Sequence, residues 1–338
     1  VSAETVPAAG AWFRVESGSA ASAARRAAER LGGQLGLGAN RVAELAIVTA
    51  ELTSNLVKHA QEGVLLLRPV RADGEAGVEL VAVDSGPGMA DLTVSSRDGH
   101  STTGTLGIGL GAIARQATWF DAWSRVGKGT VTTVQVWPKG VPAPSIWSAG
   151  LSRPITGEQI SGDGYAVRVA EGRHQTLVCD GLGHGPLAGA AADAALAAFR
   201  SAPAVPPAAV VQHLHRSMSH TRGAAVAVAE LDPAAGLLRY AGIGNIAGVV
   251  LGPDDGRKGL VSLPGIAGHQ RPVIREYDYP FPAGATLVMH SDGVVDRWRI
   301  EDYPGLTGRS PLVVAATLLR DAGIRRDDAC VLVARTPA

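Results

Sequence analysis

A break in composition between Trp137 and Gly150, WPKGVPAPSIWSAG, constrains the folding of this chain most. Its three prolines interrupt any helix or paired strand, and they follow a strand-like run, TVTTVQVW. Two domains are therefore expected, residues 1–138 and 151–338, joined by a linker at 139–150. The 338 residues suffice for both, and 46% apolar against 18% charged residues supports a sizeable core. No internal repeat is visible on either side.

The formal net charge is zero, which gives no long-range pull toward nucleic acid or anionic lipid. Two cysteines, Cys179 and Cys330, exclude a disulfide framework. One bridge between them stays open, but reduced thiols in a cytoplasmic setting are the expectation. No apolar run approaches the ~20 residues that span a bilayer. The stretch VSAETVPAAG lacks the basic start and apolar run of a signal peptide.

In the first part the pattern reads as a strand at 11–16, helices at 19–31 and 40–60, and strands in GVLLLRPV and GVELVAVD. A polar loop at 92–105 then leads into a helix opened by GIGLGAIARQA. Two strands, WFDAWSRV and GTVTTVQVW, close the domain through a turn at GKG. The expectation is an α/β sandwich on a mixed, largely antiparallel sheet. The second part reads as seven strands, from GYAVRVA to ACVLVARTP, with helices near 186–200, 207–220 and 311–322. Strand hairpins with helices inserted as blocks argue α+β, with the helices outside two sheets.

On the second helix, Glu51, Asn55 and His59 of ELTSNLVKHA recur every four residues and share a face. Val48, Leu52 and Leu56 make an apolar face beside it. Taken alone, the polar stripe reads as a solvated face. Two further segments bear on it. In VDSGPGMAD, Asp84 ends an apolar strand, so its carboxylate can accept from an exocyclic amine such as that of adenine. Gly86 and Gly88 there let the backbone approach a flat ring, although the same residues also suit a plain strand–turn corner. In GHSTTGTLGIGLGAIARQA, glycines and hydroxyls run into a helix start, whose free N–H groups and dipole suit phosphate.

In this order the three segments resemble the histidine-kinase/gyrase/Hsp90-type ATPases over roughly residues 10–138. ELTSNLVKHA resembles their Asn-bearing helix, DSGPGM the adenine turn, GTLGIGLG the ATP lid, and GKGT the closing turn. RDGHSTTGTLGIGLGAI and FDAWS are most similar to the RsbT-type serine kinases of bacterial stress-sigma pathways. The resemblance implies ATP and Mg²⁺ as cofactors and Asn55 as an Mg²⁺ ligand. Glu51 would be the base that takes the substrate hydroxyl proton. Asp84, Gly86, Gly88, Gly104, Gly107, Gly109 and Thr130 would contact nucleotide. His59 is assigned to packing or to the helix end.

Four acidic strand ends mark the second part: ISGDGY (Asp163), VCDGLGHG (Asp180), HSDGVVD (Asp292) and RRDDACVL (Asp327, Asp328). One Asp–Gly after a strand is a hairpin signal. Four such strand-end carboxylates, three of them followed by glycine, suit a pair of hard divalent cations, which take oxygen ligands and clamp a phosphate. The set resembles the protein phosphatase 2C superfamily in its SpoIIE/RsbX-like branch, across roughly 151–336, with TRGAAVAVAELD and YAGIGN between. That resemblance implies an αββα sandwich binding Mg²⁺ or Mn²⁺. Asp163, Asp180, Asp292 and Asp327 would be the ligands, Asp180 bridging as the catalytic carboxylate, with the Gly181 carbonyl beside it. His184 is expected to act from outside the ligand set. His213 and His215, two apart on a helix, point to different faces and are not read as a metal pair.

Together the resemblances imply a bifunctional Ser/Thr kinase and phosphatase acting on STAS-domain antagonists, with a sigma factor as a further partner. Two other readings stay open. One is an anti-sigma factor fused to a phosphatase; the other is a nucleotide-gated phosphatase without kinase activity.

Overall fold

In the computed structural model the structure describes residues 6–7, 10–90, 109–253, 256–269 and 273–336. The chain divides into two compact units, Val1–Ser145 and Ile146–Ala338. The division falls within the Pro-rich stretch. The ordered second unit begins earlier than the expected linker allowed: Trp147 is buried, and Ser148–Arg153 form a strand. SAGLSR has no alternation to announce a strand; its pairing with the C-terminal strand makes it one.

The first unit holds strands β1 (Val6–Pro7), β2 (Ala11–Arg14), β3 (Val64–Ala72), β4 (Glu75–Asp84), β5 (Trp119–Arg125) and β6 (Gly129–Val136). Its helices are α1 (Gly18–Gln34), α2 (Ala39–His59) and α3 (Gly109–Gln116). The sheet order is β1–β3–β4–β6–β5, with β2 also on β3. Every pair among the described residues is antiparallel, so the expected mixed character is not seen there. The cause is local: β3 and β4 are joined by the two residues Asp73–Gly74, and β5 and β6 by a short turn, and such links reverse the chain. Leu45, Val48, Leu52 and Leu56 of α2 pack with Leu65, Leu67, Val78, Leu80 and Val134 of the sheet. The apolar face read from the sequence is thus the core face, which leaves Glu51 and Asn55 half-buried at its border.

The second unit contains β7 (Ser148–Arg153), β8 (Asp163–Ala170), β9 (Arg173–Gly181), β10 (Ala224–Asp232), β11 (Leu237–Ile243) and β12 (Ala247–Leu251). It continues with β13 (Arg257–Gly259), β14 (Ser262–Leu263), β15 (Tyr277–Pro280), β16 (Thr286–His290) and β17 (Ala329–Arg335). Helices α4 (Pro186–Ser201), α5 (Pro207–Ser217) and α6 (Pro311–Ala322) accompany them. One sheet runs β14–β11–β10–β9–β8 with β15 on β11; the other runs β13–β12–β16–β17–β7. Val178, Leu238, Tyr240, Val250, Leu287, Met289 and Leu332 fill the space between the sheets. Helices α4 and α5 cover the outside of the first sheet through Ala195, Phe199, Val211 and Leu214, while α6 packs on β7 and β17. The layers are α, β, β, α. Among the described residues no helix is long and apolar enough to cross a membrane.

Candidate active sites

Strand alternation builds the acidic site. Val167 and Tyr165 of β8, and Val178 of β9, face the inter-sheet core. Two residues further along each strand, on that same face, come Asp163 and Asp180. They stand directly opposite each other in register. The other sheet contributes in the same way. Leu287 and Met289 of β16 point inward, so Ser291 does too, and its hydroxyl donates to Asp163 Oδ2. Ser291 Oγ also accepts the Cys330 N–H at 3.0 Å, which ties β16 and β17 to the site.

Asp163 is buried, and its carboxyl is pushed well above the usual range, first by burial and then by the Asp180 charge. Asp180 is raised by burial and then by Asp292; Asp327 is raised by burial and then by Asp292. The four carboxyls therefore form a row of mutually repelling neighbours at one end of the sandwich. Asp292 is oriented by Asn245, whose Nδ2 donates to Oδ2 at 2.7 Å. Asp327 and Asp328 differ in role. Both Asp328 oxygens are occupied, accepting the Ile155 and Gly162 N–H groups at 2.7 Å each. Asp327 is half-exposed toward the row. Gly181 ends β9, and its N–H donates to the Gly162 carbonyl at 2.9 Å. His184 stands over the adjoining loop, its Nδ1 2.9 Å from Glu158 Oε1.

An all-oxygen donor set whose carboxyls repel one another fits hard divalent cations. Among the described residues, no three His, Cys, Asp or Glu side chains are gathered tightly enough to enclose an ion alone. A row rather than a cage suits ions such as Mg²⁺, which keep several waters and take one or two carboxylates each.

In the first unit, Asp84 ends β4 opposite Thr130 of β6. Asp84 Oδ1 accepts the Gly86 N–H at 2.7 Å. A Cβ on Gly86 would lie 2.6 Å from the His59 carbonyl, so the DSGPGM turn rests on the end of α2, one helical turn beyond Asn55. A Cβ on Gly88 would lie 2.0 Å from the Arg125 carbonyl. Ser124, which the sequence reading passed over, knits these pieces together. Its hydroxyl meets Thr130 Oγ1 at 2.9 Å and accepts the Met89 N–H at 2.8 Å. Gly127 N–H donates to the Pro87 carbonyl at 2.7 Å, joining the GKGT and DSGPGM turns. His59 is exposed, in the last turn of α2. Gly109 opens α3. Gly104 and Gly107, with most of the expected lid, lie outside the described residues. A cavity of about 250 Å³ lies elsewhere, between α1 and α2, lined by Ser22, Arg25, Ser54 and Lys58; none of the expected nucleotide residues lines it.

The cysteines do not bridge. Both are free and buried; Cys179 faces the helical layer and Cys330 the inter-sheet layer. His215 Nδ1 accepts the Gly268 N–H at 3.1 Å, a packing role.

Residues 15–136 match the histidine kinase-like ATPase domain family, and residues 170–337 match the Stage II sporulation protein E (SpoIIE) family. The chain is 32% identical to the serine/threonine-protein kinase RsbT of Bacillus subtilis (strain 168) over 115 residues, 34% of this chain and 86% of that protein. A structure solved in work on the bacterial stressosome, described as a modular system adapted to control secondary messenger signalling, is 30% identical. It covers 56% of this chain and 98% of its own, with a TM-score of 0.51. RsbX in complex with magnesium is 17% identical, covering 55% of this chain and 92% of its own, with a TM-score of 0.46. The chain thus joins an N-terminal histidine kinase-like ATPase domain similar to the RsbT kinase to a C-terminal SpoIIE domain of the protein phosphatase 2C type.

Proposed function

We propose that this chain is a bifunctional switch that phosphorylates and dephosphorylates a serine or threonine on a STAS-domain regulator of stress signalling, in the cytoplasm. The observation that carries the reading is the row Asp163, Asp180, Asp292 and Asp327 at one end of the second unit, on a chain whose first unit carries an RsbT-like kinase domain.

In the phosphatase half, Asp163, Asp180, Asp292, Asp327 and the Gly181 carbonyl would hold two divalent ions, Mg²⁺ or Mn²⁺. Ions bound there supply an activated water and neutralise phosphate charge. The chain's own part is to hold that geometry. Ser291 fixes Asp163, Asn245 fixes Asp292, and Asp328 clamps the 155–162 loop beside them. Water adds to phosphorus, the bond to the seryl oxygen breaks, and that oxygen leaves with a proton. In the kinase half, Asp84 holds adenine, and Thr130 with the glycines of both turns shapes the pocket. Asn55 would hold the Mg²⁺ that accompanies the triphosphate. Glu51 takes the proton of the attacking hydroxyl as the γ-phosphorus leaves ADP, a reaction that needs positioning and charge neutralisation more than covalent help.

The test is incubation with ATP, Mg²⁺ and a STAS-domain protein. Asp180→Asn should raise the steady level of phosphoprotein, and Glu51→Ala should abolish its formation. If neither variant changes that level, the switch is wrong. ATP binding without transfer would favour nucleotide gating of the phosphatase instead.

A further inference from the structure

An exposed arginine stands at the end of the sheet that carries Asp180. We propose that Arg222, from the TRG turn before β10, binds the phosphoryl group at the mouth of the acidic row. The inference rests on the phosphatase reading of that row.

Its position follows from the sheet. Gly181, next to Asp180, pairs with Ala224 of β10. Arg222, two residues before Ala224, therefore emerges at the same end of the sheet as Asp180. Its side chain is exposed and lies along the loop that leaves the site: Nη1 is 3.4 Å from the Leu182 carbonyl and 3.1 Å from where a Gly183 Cβ would be. The contact to Leu182 is long for a hydrogen bond. No other partner is found for this guanidinium among the described residues, so nearly all of its five N–H donors remain for a ligand. His184, the other basic group of this loop, is engaged by Glu158.

The backbone that carries Arg222 is fixed on both sides. Thr221 Oγ1 donates to the Met218 carbonyl at 2.8 Å and accepts the Gly223 N–H at 3.0 Å. The Thr221 carbonyl lies 2.9 Å from His269 Nε2, and the Gly223 carbonyl accepts the Leu182 N–H at 3.1 Å. Gly223 has φ +84°, and a Cβ there would meet the Ala267 carbonyl at 2.6 Å, so only glycine holds this turn. The result is a free fork on a rigid base, which is what planar recognition of phosphate requires. A donor fork at the neighbouring strand end would supply phosphate oxygens with the positive charge that the carboxylates lack.

The test uses the full chain with Mn²⁺, comparing Arg222→Gln and Arg222→Lys with the parent. A charge-assisted pair to phosphate predicts a rise of about tenfold or more in KM for a phosphorylated STAS protein in Arg222→Gln. Inorganic phosphate, titrated by calorimetry into the Mn²⁺-loaded protein, should weaken by a similar factor. Arg222→Lys should recover part of both. Melting temperature and the Mn²⁺ concentration for half-maximal activity should stay unchanged. Unchanged KM and phosphate affinity would overturn the proposal, and so would effects confined to melting or Mn²⁺ dependence, which would make Arg222 a brace for the Leu182 loop. Should the parent release no phosphate from any phosphoprotein yet bind inorganic phosphate through Arg222, the phosphatase reading fails and the anion site stands. Should it do neither, both fall.

Discussion

At the scale of single residues, the adjacent pair Asp327 and Asp328 shows how burial divides labour between identical side chains. Asp328 spends both oxygens on backbone N–H groups, whereas Asp327 faces the acidic row. Asp328→Asn should destabilise the second unit by about 1–3 kcal/mol in denaturant titration, because an amide N–H₂ would confront a backbone N–H. Asp327→Asn should leave that midpoint nearly unchanged and instead raise the Mn²⁺ concentration needed for phosphatase activity. If the two variants behave alike, the division is wrong. The four strand-end carboxyls were visible in the sequence because each sits beside an apolar run and three of them precede a glycine. Ser291, Asn245 and Ser124 were not. Each is a lone polar residue with a partner far away in sequence, Asp163 for Ser291, Asp292 for Asn245 and Met89 for Ser124, and no spacing rule links residues brought together only by packing.

At the scale of elements, the strands and helices with a clear period were legible. Helix α6 falls on the expected 311–322, and β8, β9, β10 and β11 lie within a residue or two of their expected bounds. What escaped were β7 and the short β13, β14 and β15, which lack alternation and exist because a neighbouring strand offers free backbone groups. Elements are also tied by buried polar groups that periodicity does not reveal. Arg168 of β8 donates to the carbonyls of Phe199, Ala202 and Pro203, where α4 ends, and to Gln175 of β9. Arg168→Met should cost about 3 kcal/mol in equilibrium unfolding, since several buried acceptors lose their donor at once. At the other end of the chain, Ser17 caps α1 by accepting the Ala20 N–H at 3.3 Å. Ser17→Ala should cost about 1 kcal/mol, read as a lower thermal midpoint of the first unit.

At the scale of the whole molecule, the two units have separate cores, and under the proposed function each should register its own ligand in stability. The carboxyls of Asp163, Asp180 and Asp327 are raised in the folded state by burial first and then by neighbouring carboxylates, Asp180 for Asp163 and Asp292 for the other two. The folded protein therefore holds protons that the unfolded chain releases near pH ~4. Without divalent ions, the stability contribution of this row is fully present below that pH and is lost as pH rises through the elevated values. Thermal melting in chelator should accordingly weaken from pH 5 to pH 8, and Asp163→Asn should flatten that slope. Mn²⁺ should restore the second unit at pH 8, and ATP with Mg²⁺ should stabilise the first, each by ligand linkage. A chelated protein that melts identically at both pH values would contradict the charge row.

The placement of the sulfur atoms has a practical consequence. Both thiols of the chain are buried in the second unit, Cys179 beneath the helices and Cys330 between the sheets, and burial holds each thiol far from its reactive, deprotonated form. Peroxide and alkylating reagents can reach them only when that half opens. The protein therefore carries its own clock: the rate at which a maleimide dye attaches counts the openings of the SpoIIE half and ignores every motion of the other.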